Sequence, residues 1–439
     1  MSGKRISMPG NGVAIYTVFV LFIANVFNLV DRSILGVLLE EVRVDLGLSD
    51  TQMSVVSGLA FALVHLAAGI LVSRWVDYRS RKWILAVGVM VWSLATVATG
   101  LSTSFATLFL ARMMTGIGEA AVFPVAMSMI ADLFDVNRRP KAVSAFHLSN
   151  GVGIILGTVL AGIMAAAFGW RYVFIIFGSL GAIPLLLALT LREPVRGAQD
   201  RSRVSGTAEN LHQALATVWR LPGFGFLVTG FGFASMAFAV LPIWVPTFLA
   251  RSHQVDIADL GLVLAPPVGL GGVLGIVISG VVASRLVERS GRAVDGLKVP
   301  LIALPIAPLF FLLFLASPTL VPALVALGLG NFFLSAAMGP SLAYAISLTP
   351  TGVRAVGANL MLVSQGLLGG TLGPLVVGMV SDGLGASLGV ESLRYALGVL
   401  VIAPIIAPCL LWLAFKANRR GFAKPDSQDE LISLGKSLP

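Results

Sequence analysis

Residues 69–81 read GILVSRWVDYRSR, and residues 280–292 read GVVASRLVERSGR. A glycine, a Ser-Arg step, a valine, an acid and the closing arginine recur at an offset of 211. A second set recurs at an offset of 216: Pro124 with Pro340, Arg138 with Arg354, Ala142 with Ala358, Gly157 with Gly373 and Gly162 with Gly378. Nearly equal offsets carried by separate blocks make the chain two versions of one unit.

Each copy of the first block closes a long apolar run, and the whole chain is built from such runs. Of 439 residues, 57% are hydrophobic and only 12% charged, with a mean hydropathy of +0.93; soluble domains carry about 25% charged residues. Runs of about 18 or more apolar residues, each able to cross about 30 Å of hydrocarbon, begin near Val13, Gln52, Trp83, Ala106, Ala142 and Tyr172. Six more begin near Phe224, Leu260, Val299, Val321, Ala355 and Tyr395. The expected fold is all-α integral membrane, with twelve transmembrane helices in two pseudo-repeated six-helix halves. Its expected organisation is a cytoplasmic N-terminus over 1–12, a six-helix bundle over 13–191, a cytoplasmic linker over 192–222, a second bundle over 223–416 and a cytoplasmic tail over 417–439. Lys4 and Arg5 ahead of the first run resemble a secretion signal, but Asp31 and Arg32 interrupt that run and no small-residue cleavage pattern follows, so it reads as a permanent helix.

With the N-terminus in the cytoplasm, 24 of the 30 Lys and Arg residues fall on that side, against Arg43, Arg171, Arg251 and Arg394 outside and Arg32 and Arg112 within the membrane. Because short loops rich in Lys and Arg stay cytoplasmic, both termini are expected there. The protein is expected in the plasma membrane, which in a bacterium is the inner membrane. The net charge of +9 is thus a topological signal, and its scattered residues form no stripe of the kind that binds nucleic acid. Expected partners are the bilayer and a small-molecule substrate, with the chain a monomer. Cys409 is the single cysteine and forms no intrachain disulfide; His65, His212 and His253 lack metal-ligand spacing, and no nucleophile, histidine and acid are grouped. No enzymatic activity, metal or cofactor is expected, the proton gradient being the energy source.

From about Asn25 to Lys416 the chain resembles the major facilitator superfamily. The loop motif after the second helix is matched by Asp77, Arg79, Arg81 and Lys82, with Ser73 and Ser80 where the family usually has glycine. The fourth-helix motif is matched by Arg112, Gly116 and Gly118, with Thr115 in place of glutamine and Glu119 following. The fifth helix carries Gly153, Gly157 and Gly162, and the eleventh Gly369, Gly373, Pro374 and Gly378. Within the superfamily, Asn28-Leu-Val-Asp31-Arg32, Gly116-Ile-Gly-Glu119-Ala and Arg192-Glu-Pro-Val-Arg-Gly197 most resemble the spinster-like branch, associated with lysophospholipids and phosphorylated sphingoid bases. The anion/cation symporter branch, which takes up organic carboxylates with protons, shares the Asp-Arg pair and the Glu-Ala step.

A charge at mid-membrane costs roughly 2.5–3.5 kcal/mol, so each needs a partner or a purpose. Asp31, Arg32, Arg112 and Glu119 qualify. Arg112 and Glu119 are two helical turns apart on one face, able to meet Asp31 and Arg32. Asp31 and Glu119 are the expected proton carriers, since burial and arginine pairing act oppositely on a carboxylate and a change of pairing switches it. Arg32 and Arg112 are the expected charge partners or anion holders. A permanent salt-bridge cluster is the competing reading. Asn28, Asn150, Tyr344, Asn359 and Gln365 are candidate polar cavity residues, although each alone suffices as interhelical glue. Asp77 with Arg81, and Glu288 with Arg292, lie at cytoplasmic helix ends and read as gate latches, against the plainer reading of topology signals.

Duplicated six-helix halves are the architecture of rocking carriers. The expected function is therefore proton-coupled secondary transport, by alternating access, of a small organic anion or an amphipathic, lysolipid-like solute. Proton symport of a small carboxylate is the alternative, and a non-transporting solute sensor comes from another class.

Overall fold

The computed structural model describes residues 11–135, 138–196, 211–350 and 353–421. Residues 1–10 and 422–439, and so most of the expected terminal segments, lie outside the described residues, as do 197–210 of the linker.

Twelve helices are long and apolar enough to cross a bilayer. The first half comprises Asn11–Leu46, Asp50–Tyr78, Arg81–Gly100, Phe105–Leu133, Lys141–Phe168 and Trp170–Thr190. The second comprises Phe224–His253, Ile257–Ser290, Ala293–Ala316, Leu320–Leu348, Val356–Ala396 and Val399–Arg419. They are called here the first to twelfth spans. Tyr395, expected to open the twelfth, instead ends the eleventh in a short helix, Ser392–Ala396, closed by a turn from the Gly398 N–H to the Tyr395 carbonyl. The linker, expected only as a polar stretch, contains a helix, Leu211–Trp219, that buries Ala214 and Val218 one turn apart and exposes His212, Gln213 and Trp219.

The repeat read in the sequence is visible in how helices meet. In the fifth span, a side chain at Gly153 would strike the Val26 carbonyl at 2.7 Å, and one at Gly157 the Val30 backbone at 2.8 Å, so these glycines let it lie against the first span. In the eleventh, Gly369 and Gly373 press on Ser235 and Met236 of the seventh in the same manner. The fourth span breaks at Ala120–Ala121 between Phe105–Glu119 and Val122–Leu133, and the tenth breaks at Ala336–Ala337, 216 positions on. Wider π turns occupy Val55–Leu59 in the second span and Ala265–Leu270 in the eighth, again at matching places.

Among the described residues the halves join toward one face. We call it the first-loop face, after the turn at Gly47–Ser49, and the opposite one the linker face. Near the first-loop face the first span meets the seventh, the second meets the eleventh and the fifth meets the eighth. Gly36 lies against the Pro242 carbonyl, Gly162 against that of Ile257, and Gly378 against that of Asp50. Toward the linker face the helices splay: Ile70, Leu71, Trp75 and Tyr78 on the second span and Leu148 on the fifth are exposed. The α-helical body of the eighth, Gly271–Ser290, buries only Gly275, Ser279 and Ala283, every fourth residue, and Gly271 and Gly275 lie against the Gly328 and Phe332 carbonyls of the tenth. From Val273 to Val282 the exposed side chains of that helix, Val273, Leu274, Ile276, Val277, Ile278, Val281 and Val282, form an aliphatic wall.

Candidate functional site

The four intramembrane charges come together inside the first half. Asp31, on the first span, accepts a 2.8 Å hydrogen bond from Arg112 Nη1 and a 2.6 Å one from Thr96 Oγ1, on the fourth and third spans. Asp31 and Arg112 are both buried. One residue on, Arg32 Nε donates to Glu119 Oε2 at 2.6 Å. Glu119 is buried at the break in the fourth span, whereas the Arg32 side chain stays 36% exposed. The two carboxylates and two guanidiniums cancel in charge, which is how such groups are tolerated away from water.

Phe61 on the second span binds the pairs into one unit. The Arg32 guanidinium carbon lies 4.6 Å from its ring centroid and that of Arg112 5.7 Å, both within reach of the ring's negative face. His65, one turn on, stacks on Phe61 at 5.1 Å between centroids, and its Nδ1 lies 3.2 Å from the Gly116 carbonyl. A carbonyl only accepts, so Nδ1 is assigned the hydrogen in the neutral ring. Gly116 is bare because a side chain there would meet the Phe61 carbonyl at 2.9 Å. Glu119 Oε1 and Arg112 Nε are buried without a hydrogen-bond partner among the described residues. The cluster is thus incompletely satisfied, as a site whose pairing changes would be.

The other candidate residues are dispersed. Asn28 is buried on the first span, and Asn150 accepts a 2.7 Å bond from Asn25. Tyr344 is buried, its hydroxyl without a hydrogen-bond partner among the described residues, Gln365 is half-buried at the start of a π segment, and Asn359 is exposed. Arg81 is buried and pairs with Asp132 and, at 2.7 Å, with Glu193. Arg292 pairs with Asp295 at 3.2 Å, while Asp77 and Glu288 are exposed. Among the described residues none of these four reaches across to the other half, because the structure is open on that face.

The bonds that do cross the halves lie at the opposite face. Arg251 of the seventh span donates to Glu40 at 2.5 Å and to Asp50 at 2.7 and 2.8 Å. Ser381 donates to Asp50 at 2.6 Å, and the Asp382 carboxylate accepts the backbone N–H groups of Asp50 and Thr51 at 2.9 and 2.8 Å. An acid from one half thereby caps a helix of the other. Sequence reasoning took Arg251 only as an outside loop charge; here it is half-buried between Glu40 and Asp50, and Asp295 is buried beside Arg292 and Lys298.

Glu193 was also missed as a contact. Burial would raise its carboxyl, but hydrogen bonds from Arg81, Ser80 and the N–H groups of Arg81 and Lys82 outweigh this and hold it below the usual carboxylate range. Arg196 meanwhile donates to the carbonyls of Asp77 and Arg79, so the start of the linker is strapped to the loop of the first repeated block.

The sequence profile described as Major Facilitator Superfamily matches residues 21–374. The chain belongs to this superfamily. Among its members, an "MFS-type efflux pump" of Mycolicibacterium smegmatis is 31% identical over 405 residues, covering 91% of this chain and 92% of that one. "Protein spinster homolog 1" of Xenopus laevis is 29% identical over 420 residues, covering 90% and 79%. A crystal structure described as a bacterial homolog of the human lysosomal transporter Spinster, inward-facing and unoccupied, superposes with a TM-score of 0.86 at 24% identity, over 95% of this chain and all of that one. Membership agrees with the twelve spans and the duplicated halves, and the chain is a major facilitator transporter with spinster-like relatives.

Proposed function

We propose that this transporter is proton-coupled and moves an amphipathic organic anion by alternating access, with the linker face cytoplasmic. One observation carries the reading: of four charges in two buried ion pairs, only Arg32 is open to solvent, and it is held to Glu119 through Nε alone. Among the described residues its Nη groups have no hydrogen-bond partner, which leaves those donors for phosphate or carboxylate oxygens. Protonation of Glu119 removes its charge, releasing Arg32 to a head group; loss of that proton draws Arg32 back. Asp31, held by Arg112 and Thr96, is the second proton site or the fixed counter-charge against which Glu119 titrates. The aliphatic eighth span suits the solute's apolar part. The energy source is the proton gradient, with no cofactor.

The test is internal pH in dye-loaded proteoliposomes challenged with lysophospholipids and, separately, with small organic acids. Wild type is expected to move protons on addition of a lysophospholipid, and Glu119→Gln to abolish the signal while still binding the solute. A response to small acids alone would replace the amphipathic reading by carboxylate symport. Binding without flux in wild type would make the protein a sensor and end the proposal.

A further inference from the structure

The twelfth span carries a recess in the half opposite the charge cluster. Trp412, Phe415, Lys416 and Arg419, at i, i+3, i+4 and i+7, share one helix face at the linker end and line a cavity of about 220 Å3 on the outer surface. Phe415 is its buried floor, and Trp412 is half exposed. Lys416 Nζ lies 5.1 Å from the Trp412 ring centroid, so the ammonium is held over the indole. Elsewhere on the same turn, Asn418 donates to the Pro222 carbonyl at 2.7 Å, which fixes the helix end against the corner leading into the seventh span.

No acid occurs between Val399 and Arg420, and among the described residues neither Lys416 nor Arg419 has a carboxylate partner. Arg292 and Lys298 in the same half share Asp295, at 3.2 and 2.7 Å. Basic residues at a helix end can simply snorkel to water. Two of them around a recess, one stacked on an indole at the depth where a helix leaves hydrocarbon, form instead a receptor for an anion that arrives with an apolar body.

We propose that this recess binds the phosphate of an anionic phospholipid in the linker-face leaflet. Lys416 and Arg419 hold the phosphate oxygens, and Trp412 packs on the glycerol and first methylenes. The site lies in the other half from the Arg32–Glu119 pair and stands whichever substrate that pair serves.

The experiment is native mass spectrometry of the full chain titrated with phosphatidylglycerol and, separately, phosphatidylcholine. Wild type is expected to retain phosphatidylglycerol preferentially. The double variant Lys416→Gln/Arg419→Gln should lose that retention about tenfold, with phosphatidylcholine unchanged. Trp412→Leu, which alters no charge, should lose about threefold and serves if the double variant misfolds. The matched control Arg285→Gln/Arg289→Gln, on exposed positions of the eighth span, should behave as wild type. Equal loss in that control, unchanged retention in both recess variants, or displacement by millimolar inorganic phosphate would each overturn the assignment.

Discussion

In the four-charge cluster of the first half each ion pair keeps one buried atom without a hydrogen-bond partner among the described residues. Asp31 has Arg112 and Thr96, but Arg112 Nε has no partner; Glu119 has Arg32 on one oxygen and nothing on the other. Removing one member strands the other in an apolar bundle at a cost of about 3–5 kcal/mol, whereas removing both is far milder. Arg112→Gln should therefore lower the thermal midpoint in detergent sharply, and Asp31→Asn/Arg112→Gln should recover most of that loss. Additive losses in the double variant would mean the pair is not energetically coupled. Glu193 gives a pH prediction. Its folded-state carboxyl titrates below its unfolded value, so its contribution is complete above about pH 4.3 and disappears as the pH falls through the folded value. The stability gap between wild type and Glu193→Gln should be flat from pH 8 to 6 and close only in acid; a gap closing near pH 7 would contradict the strapped geometry. The four clustered charges were legible because an ionisable residue in an apolar run stands out. His65 carried the same signal and was passed over for lacking metal-ligand spacing, while Thr96 and Phe61 are ordinary residues in their runs and gave none.

Helices of this chain meet through glycines whose roles divide by position. Gly157 serves packing inside a half, and Gly162 and Gly378 serve the joint between halves. A valine at Gly378 would push into the Asp50 carbonyl and the Ser54 hydroxyl, which disfavours closure at the first-loop face without touching the interior of either bundle. With Cys409 replaced by serine, a cysteine at Ser252 should react with a maleimide several times faster in the Gly378→Val variant. Gly157→Val should instead lower the thermal midpoint and leave that labelling rate unchanged. Identical labelling in both would show that Gly378 is no more than packing. The glycine repeat was readable as close helix approach, but its division was not, since one spacing serves contacts within a half and between halves. The breaks at Ala120 and Ala336 went unread although their cause is local: Pro124 and Pro340, already paired in the repeat, each lie four residues on, lack the N–H that would bond that carbonyl and crowd it.

The molecule as a whole is a pair of bundles locked at one end, and the lock is ionic: Glu40, Asp50, Arg251 and Asp382, two from each half. Arg251→Gln keeps the shape and removes the charge that two carboxylates share. It should shift the population away from first-loop closure, read as a wider distance between spin labels at Val44 and Leu388, the structure at Gly47–Ser49 being preserved. An unchanged distance distribution would assign closure to the glycine contacts alone. From the sequence by itself came the twelve spans, the duplication, the orientation expected from Lys and Arg, and the charges of the first half, because each depends on composition along one helix. Tertiary structure alone decided that Asp31 takes Arg112 while Arg32 takes Glu119, that Phe61 and His65 bracket them, and that the ion pairs joining the halves here lie at the first-loop face, with Asp77, Arg81, Glu288 and Arg292 on the open one. The physical reason is that pairing depends on which ends of the two halves touch. The same sequence must serve both closed ends in turn, so no pattern along the chain marks the one in contact.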